Sequence, residues 1–311
     1  ALNTGATDIG QGSDTVLCQM CAETLQVPLE NISLASPDTD GSPFNWGTTA
    51  SRVTYTTGRA VVGAAKEVEA KIKGAASQML ECGVGDLELL PGGRVGIKGV
   101  PGNEASFFDV SKFSHWRAGG PIVGSHSLVY DNPSIDPKRA IVSGVPFGQI
   151  GVYSFNAMVV EIEVDQRTGQ VEVVQAWSAT DVGKAINPSL VEGQLEGGFV
   201  QGLGYALFEE MVWDGPRLAN PSLLDYKIPG SLDVPYHINS IIVEHPQPDG
   251  PFGAKGVGEI SLVTVPAAIS NAILNASDIH LRKLPMTSER VFNALRRNEE
   301  LHAARRLSRS R

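Results

Sequence analysis

The chain has 311 residues and a formal net charge of −9. This length is sufficient for one large domain or for two subdomains that each have their own core. A hydrophobic content of 42% and a charged content of 19% are typical of an ordinary globular protein. The acidic balance argues against nucleic acid as a partner, because a duplex-binding face needs clustered Lys and Arg side chains.

Cysteine is scarce, with only Cys18, Cys21 and Cys82. Three cysteines do not form a disulfide framework, so we expect a reducing compartment, the cytoplasm. Cys18 and Cys21 have the spacing of a redox or metal pair, but they lie in an apolar helical pattern with no second pair, which predicts buried core thiols. We expect neither a signal peptide nor a membrane span, since no apolar run reaches the required length.

The first part of the sequence predicts short strands and two helices. Apolar residues recur at helical spacing over 51–82, which indicates one long helix. Ser13 or Asp14 is the expected N-cap of the other helix. In chain order we predict a strand end over 1–12 that closes in a Gly-Gln-Gly turn, a helix over 13–26, a strand over 32–35, a polar loop through Trp46, the long helix, short strands broken by Pro and Gly over 86–141, and an irregular excursion over 112–140.

The second part alternates strands and helices again. We predict strands over 157–164 and 171–179 joined by a hairpin turn over 165–170, a helix over 188–210, a strand over 240–244 and a helix over 260–274. The helix over 188–210 is rich in glycine, and each glycine costs about 1 kcal/mol relative to Ala. We therefore expect another backbone or a ligand against that helix. The last 16 residues carry six Arg, which indicates a frayed, solvated helix or tail.

A glycine-rich loop from Gly253 to Glu259 carries the most functional information. It presents the amine of Lys255 and the carboxylate of Glu259 beside the start of an apolar helix. The free amides and dipole of a helix N-terminus favour an anion. A carboxylate held in such a place can act as a general base.

Other glycine motifs leave two interpretations open. Gly10-Gln11-Gly12 is an incomplete dinucleotide fingerprint, so it is either a turn or a place where the Gln11 amide contacts a heterocycle. The stretch over 48–51 is either a helix cap or a site for phosphate. Lys255-Gly256 is no Walker A motif, because Ser or Thr should follow the Lys. The six histidines lack the spacing of metal ligands.

An ordered set of motifs resembles the xanthine dehydrogenase and aldehyde oxidoreductase family of molybdenum hydroxylases. The resemblance covers about residues 5–295, and the order of the blocks makes it specific. The blocks are Thr7 to Ser13; Gly47 to Tyr55 with Gly58 to Val61; Asp181 to Gly183 with Ile186 to Pro188; Gly193 to Gly197 with Gln201 to Gly204; Tyr226 to Pro229; Lys255 to Glu259; and Pro266 to Ile269 with Asn271 to Ile273.

The resemblance implies an α+β fold, namely two α/β subdomains from the second half of the molybdopterin-binding region of the large subunit. On this basis we expect the first subdomain over 1–150, the second, with the Glu259 loop, over 151–295, and an Arg-rich tail over 296–311. The chain would be either a natural split subunit, as in nicotinate dehydrogenase, or one half of a larger polypeptide.

The resemblance also implies roles for individual residues. Glu259 would be the general base in hydroxylation of an electron-poor carbon, with water as the oxygen source and hydride transfer to a molybdenum–sulfido centre. The pterin dithiolene would hold the metal, so no protein ligand to molybdenum is expected. The cofactor contacts implied are Gln11, Gly12, Ala50, Ser51, Arg52, Gln194, Lys255 and Gly258, the last near the metal.

The cofactor implied is molybdopterin, in the cytosine dinucleotide form. The chain lacks a four-Cys iron–sulfur pattern and a flavin domain, so 2Fe-2S and FAD are expected on partner subunits, and a further polypeptide region would supply the first half of the molybdopterin site. The substrate would be an N-heteroaromatic compound or an aldehyde. The alternatives are a non-catalytic cofactor-binding or assembly module, which the presence of Glu259 argues against, and an aromatic acyl-CoA reductase or dehydrogenase of the same family.

Overall fold

The computed structural model describes residues 1–128 and 152–309. Contacts divide the chain into two compact units, which are Ala1–Tyr153 with Pro246–Gly256, and Ser154–His245 with Val257–Arg311. The sequence analysis predicted a single boundary between the two subdomains, between residues 150 and 151. The additional segment 246–256 belongs to unit 1 because it packs on the long helix of that unit: a Cβ added to Gly58 would lie 2.9 Å from Pro251.

The described part of unit 1 contains three α-helices, a parallel strand pair and an antiparallel sheet. The strands β1 and β2 pair in parallel, and β3, β4 and β5 form an antiparallel sheet in that order. A core of small and aliphatic side chains joins this sheet to α2 and α3. The elements are β1 (Leu2–Asn3), α1 (Ser13–Leu25), β2 (Leu34–Ala35), α2 (Val53–Met79), β3 (Leu87–Leu90), β4 (Arg94–Ile97), β5 (Glu104–Ser106) and α3 (Phe107–Arg117).

The first helix begins at Ser13, one residue earlier than a Ser13 cap would require. Gly12 is the N-cap, in the left-handed region at φ 81°, which glycine adopts at low cost. The carboxylate of Asp8 accepts a hydrogen bond from the amide of Asp14 at 3.1 Å. Asp8 therefore satisfies an amide of the first turn, and the expected caps Ser13 and Asp14 lie inside the helix. Cys18 and Cys21 are buried on this helix, as the apolar pattern predicted.

The helix α3 corrects the expectation of irregular structure from residue 112. Its N-cap is Ser106, whose hydroxyl accepts from the amide of Asp109 at 3.1 Å. This Ser-x-x-Asp pattern is a start signal that the sequence offered, although the helix lacks a broad apolar stripe. Residues 129–140 of the predicted excursion lie outside the described residues.

Unit 2 is a three-stranded sheet with helices packed on one face. β6 and β7 form an antiparallel hairpin, and β10 pairs with β7 in parallel. A parallel neighbour requires a long crossover, which here includes α4. The elements are β6 (Asn156–Val164), β7 (Val171–Asp181), α4 (Pro188–Leu207), β8 (Trp213–Asp214), β9 (Arg217–Leu218), β10 (His237–Val243), α5 (Ile260–Ser277) and α6 (Ser288–Arg309).

The glycine-rich helix α4 packs closely on α5. A Cβ added to Gly198 would lie 2.1 Å from the Ser261 hydroxyl, and one added to Gly202 would lie 2.6 Å from the Val265 side chain. The expected backbone neighbour is thus α5. Asn187 caps α4 by accepting from the Leu190 amide at 3.2 Å. These short contacts let Phe199 and its neighbours enter a continuous buried core with α5.

By length and composition, α5 is the one described helix that could cross a membrane, although the sequence led us to expect no such run. Core helices meet the same criterion, and Val265, Ile269 and Ile273 of α5 are fully buried in the core of unit 2. We therefore describe α5 as a core helix.

The described part of the Arg-rich C-terminal stretch is helical, which is one of the two alternatives, helix or tail, that the sequence left open. α6 begins at Ser288, eight residues before the expected tail, and continues to Arg309. The guanidinium of Arg290 donates to both carboxylate oxygens of Glu210, at 2.7 and 2.8 Å. Val291 and Leu295 bury their side chains in the core of unit 2. This packing, which the charge-rich sequence did not reveal, fixes the start of the helix.

Candidate cofactor site

The loop before α1 is held by its own polar side chains. The side-chain oxygen of Gln11 accepts from the Ile9 amide at 2.6 Å, and its nitrogen donates to the Ser13 hydroxyl at 2.9 Å. Burial tends to raise the pKa of Asp8, but hydrogen bonds from the amides of Asp14 and Gly10 hold that pKa below its usual value. Asp8 is therefore ionised at neutral pH and braces the turn that carries Gln11 and Gly12.

The loop before α2 has a backbone conformation that is unusual for its residues. Ala50 and Ser51 lie in the left-handed region at φ 51° and 53°, where a residue with a side chain pays roughly 1–2 kcal/mol. Arg52 is the N-cap of α2, and its guanidinium donates to the Gly47 carbonyl at 2.8 Å. Such strain at consecutive residues supports a functional role for this loop.

Hydrogen bonding and close packing bring three predicted segments of unit 1 together. The hydroxyl of Thr48 donates to the carbonyl of Thr7, which joins the two loops described above. A Cβ added to Gly256 would lie 1.5 Å from the Ser51 carbonyl oxygen, so these two backbones touch. The turn before α1, the strained loop and the segment before Gly256 therefore adjoin one another.

Lys255 is more enclosed than a surface anion site would require. It is 5% exposed, and its ammonium group donates to the carbonyl of Tyr153 at 2.9 Å. A buried ammonium group needs such acceptors, because an unpaired charge in the interior is costly. In this conformation, Lys255 helps to hold the loop in place through its buried side chain and also gives the loop a positive charge.

A three-residue network, which the sequence did not reveal, anchors the segment 246–256 to α2. The hydroxyl of Tyr55 donates to the carboxylate of Asp249. Arg59 donates to the Tyr55 oxygen at 2.9 Å and to Asp249 at 3.1 Å. Burial and the hydrogen bond to Asp249 raise the pKa of Tyr55 to about 12. Tyr55 and Arg59 are one helical turn apart, but no local pattern points to a partner 194 residues away.

In unit 2, the predicted residues lie near the N-terminus of α5. Glu259 is the N-cap residue of α5 and is exposed, while Gly258 is half-buried. Gly198 meets Ser261 and Gly202 meets Val265, so α4 and α5 run in the same direction. Gln194 precedes Gly198 by one helical turn on the same face of α4. This register places Gln194 at the end of α4 that lies beside the start of α5.

The described residues have the chemistry that a phosphorylated pterin requires. Within the described chain, α2 and α5 each begin without a side-chain cap from the N-cap residue, whereas the Asp8 carboxylate already accepts a hydrogen bond from a first-turn amide of α1. Amides at helix starts attract phosphate. The amides of Gln11 and Gln194 can both donate to and accept from a heterocycle. No cluster of three or more His, Cys, Asp or Glu side chains able to hold a metal occurs among the residues that the structure describes.

The family model for the molybdopterin cofactor-binding domain matches residues 1–235. The chain belongs to this family. The molybdopterin cofactor-binding domain found here confirms the resemblance to the molybdenum hydroxylases that the ordered motifs indicated.

Relatives of known name support the same assignment. A putative xanthine dehydrogenase molybdenum-binding subunit of Escherichia coli is 34% identical over 308 residues, which are 97% of this chain and 38% of the relative. The nicotine 6-hydroxylase large subunit of Paenarthrobacter nicotinovorans is 32% identical over 299 residues, which are 94% of this chain and 35% of the relative. The chain therefore spans little more than a third of the length of these relatives.

Solved structures confirm the fold. Quinoline 2-oxidoreductase from Pseudomonas putida matches with a TM-score of 0.79 and 28% identity, covering 94% of this chain and 36% of that one. A Cu,Mo-containing CO dehydrogenase matches with a TM-score of 0.78 and 28% identity, covering 93% of this chain and 35% of that one. The predicted α+β architecture of the molybdenum-cofactor-binding region is thus confirmed.

Proposed function

We propose that this chain is the catalytic, molybdopterin-binding part of a molybdenum hydroxylase that oxidises an electron-poor carbon with water as the oxygen source. The observation that carries the proposal is the position of Glu259, which is exposed at the start of α5, four residues after Lys255. A carboxylate at such a loop–helix junction can accept a proton from an attacking water.

The residues of the chain would divide the work of binding and proton transfer. When bound, the molybdenum cofactor supplies the electrophilic and redox chemistry. Gln11 and Gln194 would orient the pterin through paired amide hydrogen bonds. The strained loop over Ala50, Ser51 and Arg52, with Gly12 at the start of α1, would hold phosphate groups through backbone amides and the guanidinium group.

The loop that ends at Glu259 would have two further tasks. Gly258, which has no side chain, would leave space beside the metal. Lys255, anchored on the Tyr153 carbonyl, would fix the path of the loop and add a positive charge near the cofactor. Glu259 would hold the proton removed from water during attack on the substrate carbon.

We propose the cytosine dinucleotide form of the cofactor, as the resemblance to the family implies. The substrate proposed is an N-heteroaromatic compound or an aldehyde. N-heteroaromatic compounds have the stronger support, because nicotine and quinoline appear in the names of relatives. The matched aldehyde oxidoreductase from Desulfovibrio desulfuricans keeps the aldehyde alternative in the proposal.

The complete enzyme would require further protein. The chain spans 38% of the length of one relative and 36% of a matched structure. We propose that another region of the large subunit supplies the first half of the cofactor site, and that partner subunits carry 2Fe-2S and FAD as the route for electrons. The assembled enzyme would work in the cytoplasm.

Native mass spectrometry of the complex isolated through a tag on this chain tests the proposal. We expect a complex that contains one molybdenum and one pterin dinucleotide per copy of this chain, together with iron–sulfur and flavin subunits. The isolated chain should neither retain the cofactor nor turn over substrate. A complex without molybdenum, or robust turnover by the chain alone, would refute the proposal.

A further inference from the structure

One face of the unit 2 sheet is apolar and exposed. We call it the open face and define it by the outward residues of three adjacent strands. Four of its large side chains are exposed, with relative exposures of 64% for Val159, 48% for Ile241, 43% for Val243 and 70% for Phe155. Phe155 immediately precedes β6. The remaining apolar members are Ala157, Trp177 and Ala179, and the register adds two polar members, Asp181 and Asn239.

The strand register shows that these side chains form a continuous patch. Ala157 pairs with Ala179, which pairs with Ile241, and Val159 pairs with Trp177 in the adjacent row. Side chains two residues apart on a strand share a face. The rows therefore lie side by side, and the β-bulge after Glu161 falls outside them.

The opposite face of the same sheet already forms the core. Met158, Val160 and Ile238 pack against the buried cluster of α4 and α5, and Val173 and Ala176 belong to that cluster. An antiparallel sheet with one solvated face normally alternates apolar residues inside with polar residues outside. Here most outward positions at the Phe155 end of the sheet are apolar as well, which is typical of a sheet that is covered on both sides.

The other end of the open face is acidic. Glu161 and Glu163 are exposed on β6, and Glu163 pairs directly with Glu172 of β7. Like charges opposite each other on a sheet are destabilising. None of these three carboxylates forms a salt bridge within the described ranges, so a partner with Lys or Arg at this end would relieve the repulsion.

We propose that the open face docks the region of the large subunit that lies outside this chain, through an apolar surface flanked by basic side chains. This inference rests on the proposed function. The relatives have ample length to supply the partner, since this chain accounts for only 38% and 35% of the length of the two relatives named above. A second copy is the weaker occupant, because it brings the same net charge of −9 and the same acidic groups.

Paired variants in the complex test the docking. Val159→Glu and Ile241→Glu place a charge in the centre of the patch, and each should weaken association with the remaining large-subunit region by about tenfold or more. Val212→Glu, which alters another exposed valine (48%) in unit 2, should leave association unchanged. Glu163→Lys should slow association, because it reverses the charge that faces the basic rim.

Hydrogen exchange separates a docking defect from a folding defect. In the complex, amides of β6 and β10 should be protected relative to the separate chain, and α4 should exchange equally in Val159→Glu and wild type. Wild-type association by both apolar-face variants, or unchanged exchange in β6 and β10, would overturn the docking assignment alone. A homodimer disrupted by these variants would assign the face to a second copy. Failure of the wild-type chain to bind any large-subunit region would instead overturn the proposed function.

Discussion

Two glycines of α4 should respond in opposite ways to replacement by Ala, one with a gain in stability and the other without. A Cβ at Gly202 would lie 2.6 and 2.7 Å from two carbons of Val265 and 2.9 Å from the Leu262 carbonyl oxygen. At Gly193, the same addition would meet no described atom within 4 Å. Only the first position therefore needs glycine for packing.

The magnitudes follow from two competing effects. Replacing glycine by Ala in a helix gains about 1 kcal/mol of intrinsic propensity. Overpacking a tight contact typically costs about 1–3 kcal/mol. Gly193→Ala should thus stabilise unit 2 by about 1 kcal/mol, whereas Gly202→Ala should be neutral or destabilising by up to about 2 kcal/mol after the propensity gain is subtracted.

Thermal unfolding of both variants, each compared with wild type, measures the difference. A separation of about 1–3 kcal/mol corresponds to several degrees in the unfolding midpoint. If Gly202→Ala stabilised the chain as much as Gly193→Ala, the close approach of α4 and α5 would be wrong. Turnover in the assembled complex adds a second result: increased stability with reduced turnover in Gly193→Ala would show that a ligand approaches the backbone beside Gln194.

Two further predictions concern unit 1. The pKa of Tyr55 in the folded protein is raised to about 12, so its contribution to stability is present below the unfolded pKa of about 10 and decreases as pH rises through 12. Tyr55→Phe should therefore lower the free energy of unfolding by about 1 kcal/mol at pH 8 and show a smaller alkaline decline in melting temperature than wild type. Equal alkaline declines in the two proteins would contradict the assignment. Gly256→Ala should displace the loop from the Ser51 carbonyl and lower the molybdenum content of the assembled enzyme. The control Gly74→Ala, which has open space around the added methyl group, should retain full molybdenum. Full molybdenum content in both variants would show that the contact is dispensable.

The parts of the fold that sequence predicted are those specified locally. α2, α4 and α5 have helical apolar spacing over many residues, and the β6–β7 hairpin has alternating strands with a turn between them. α3 and the start of α6 were missed because their apolar stripes are weak. In α3, the Ser106 cap was a usable signal that carried less weight than the surrounding glycines and prolines.

Long-range contacts explain what the sequence could not specify. The assignment of 246–256 to unit 1 depends on Asp249 meeting Tyr55 and on Gly256 meeting Ser51, and no local pattern encodes either pairing. The functional residues were proposed from motif resemblance. The structure adds the backbone strain at Ala50 and the register that sets Gln194 beside the start of α5. Their roles toward the cofactor stay predictions.

The general base is tested most directly by Glu259→Gln in the assembled enzyme, with molybdenum content and turnover measured on the same preparation. The account predicts full molybdenum and a loss of turnover of about 10²–10⁴-fold, while Glu23→Gln, an exposed change on α1, leaves both unchanged. Wild-type turnover by Glu259→Gln at full molybdenum content would contradict the assignment of Glu259 as the base.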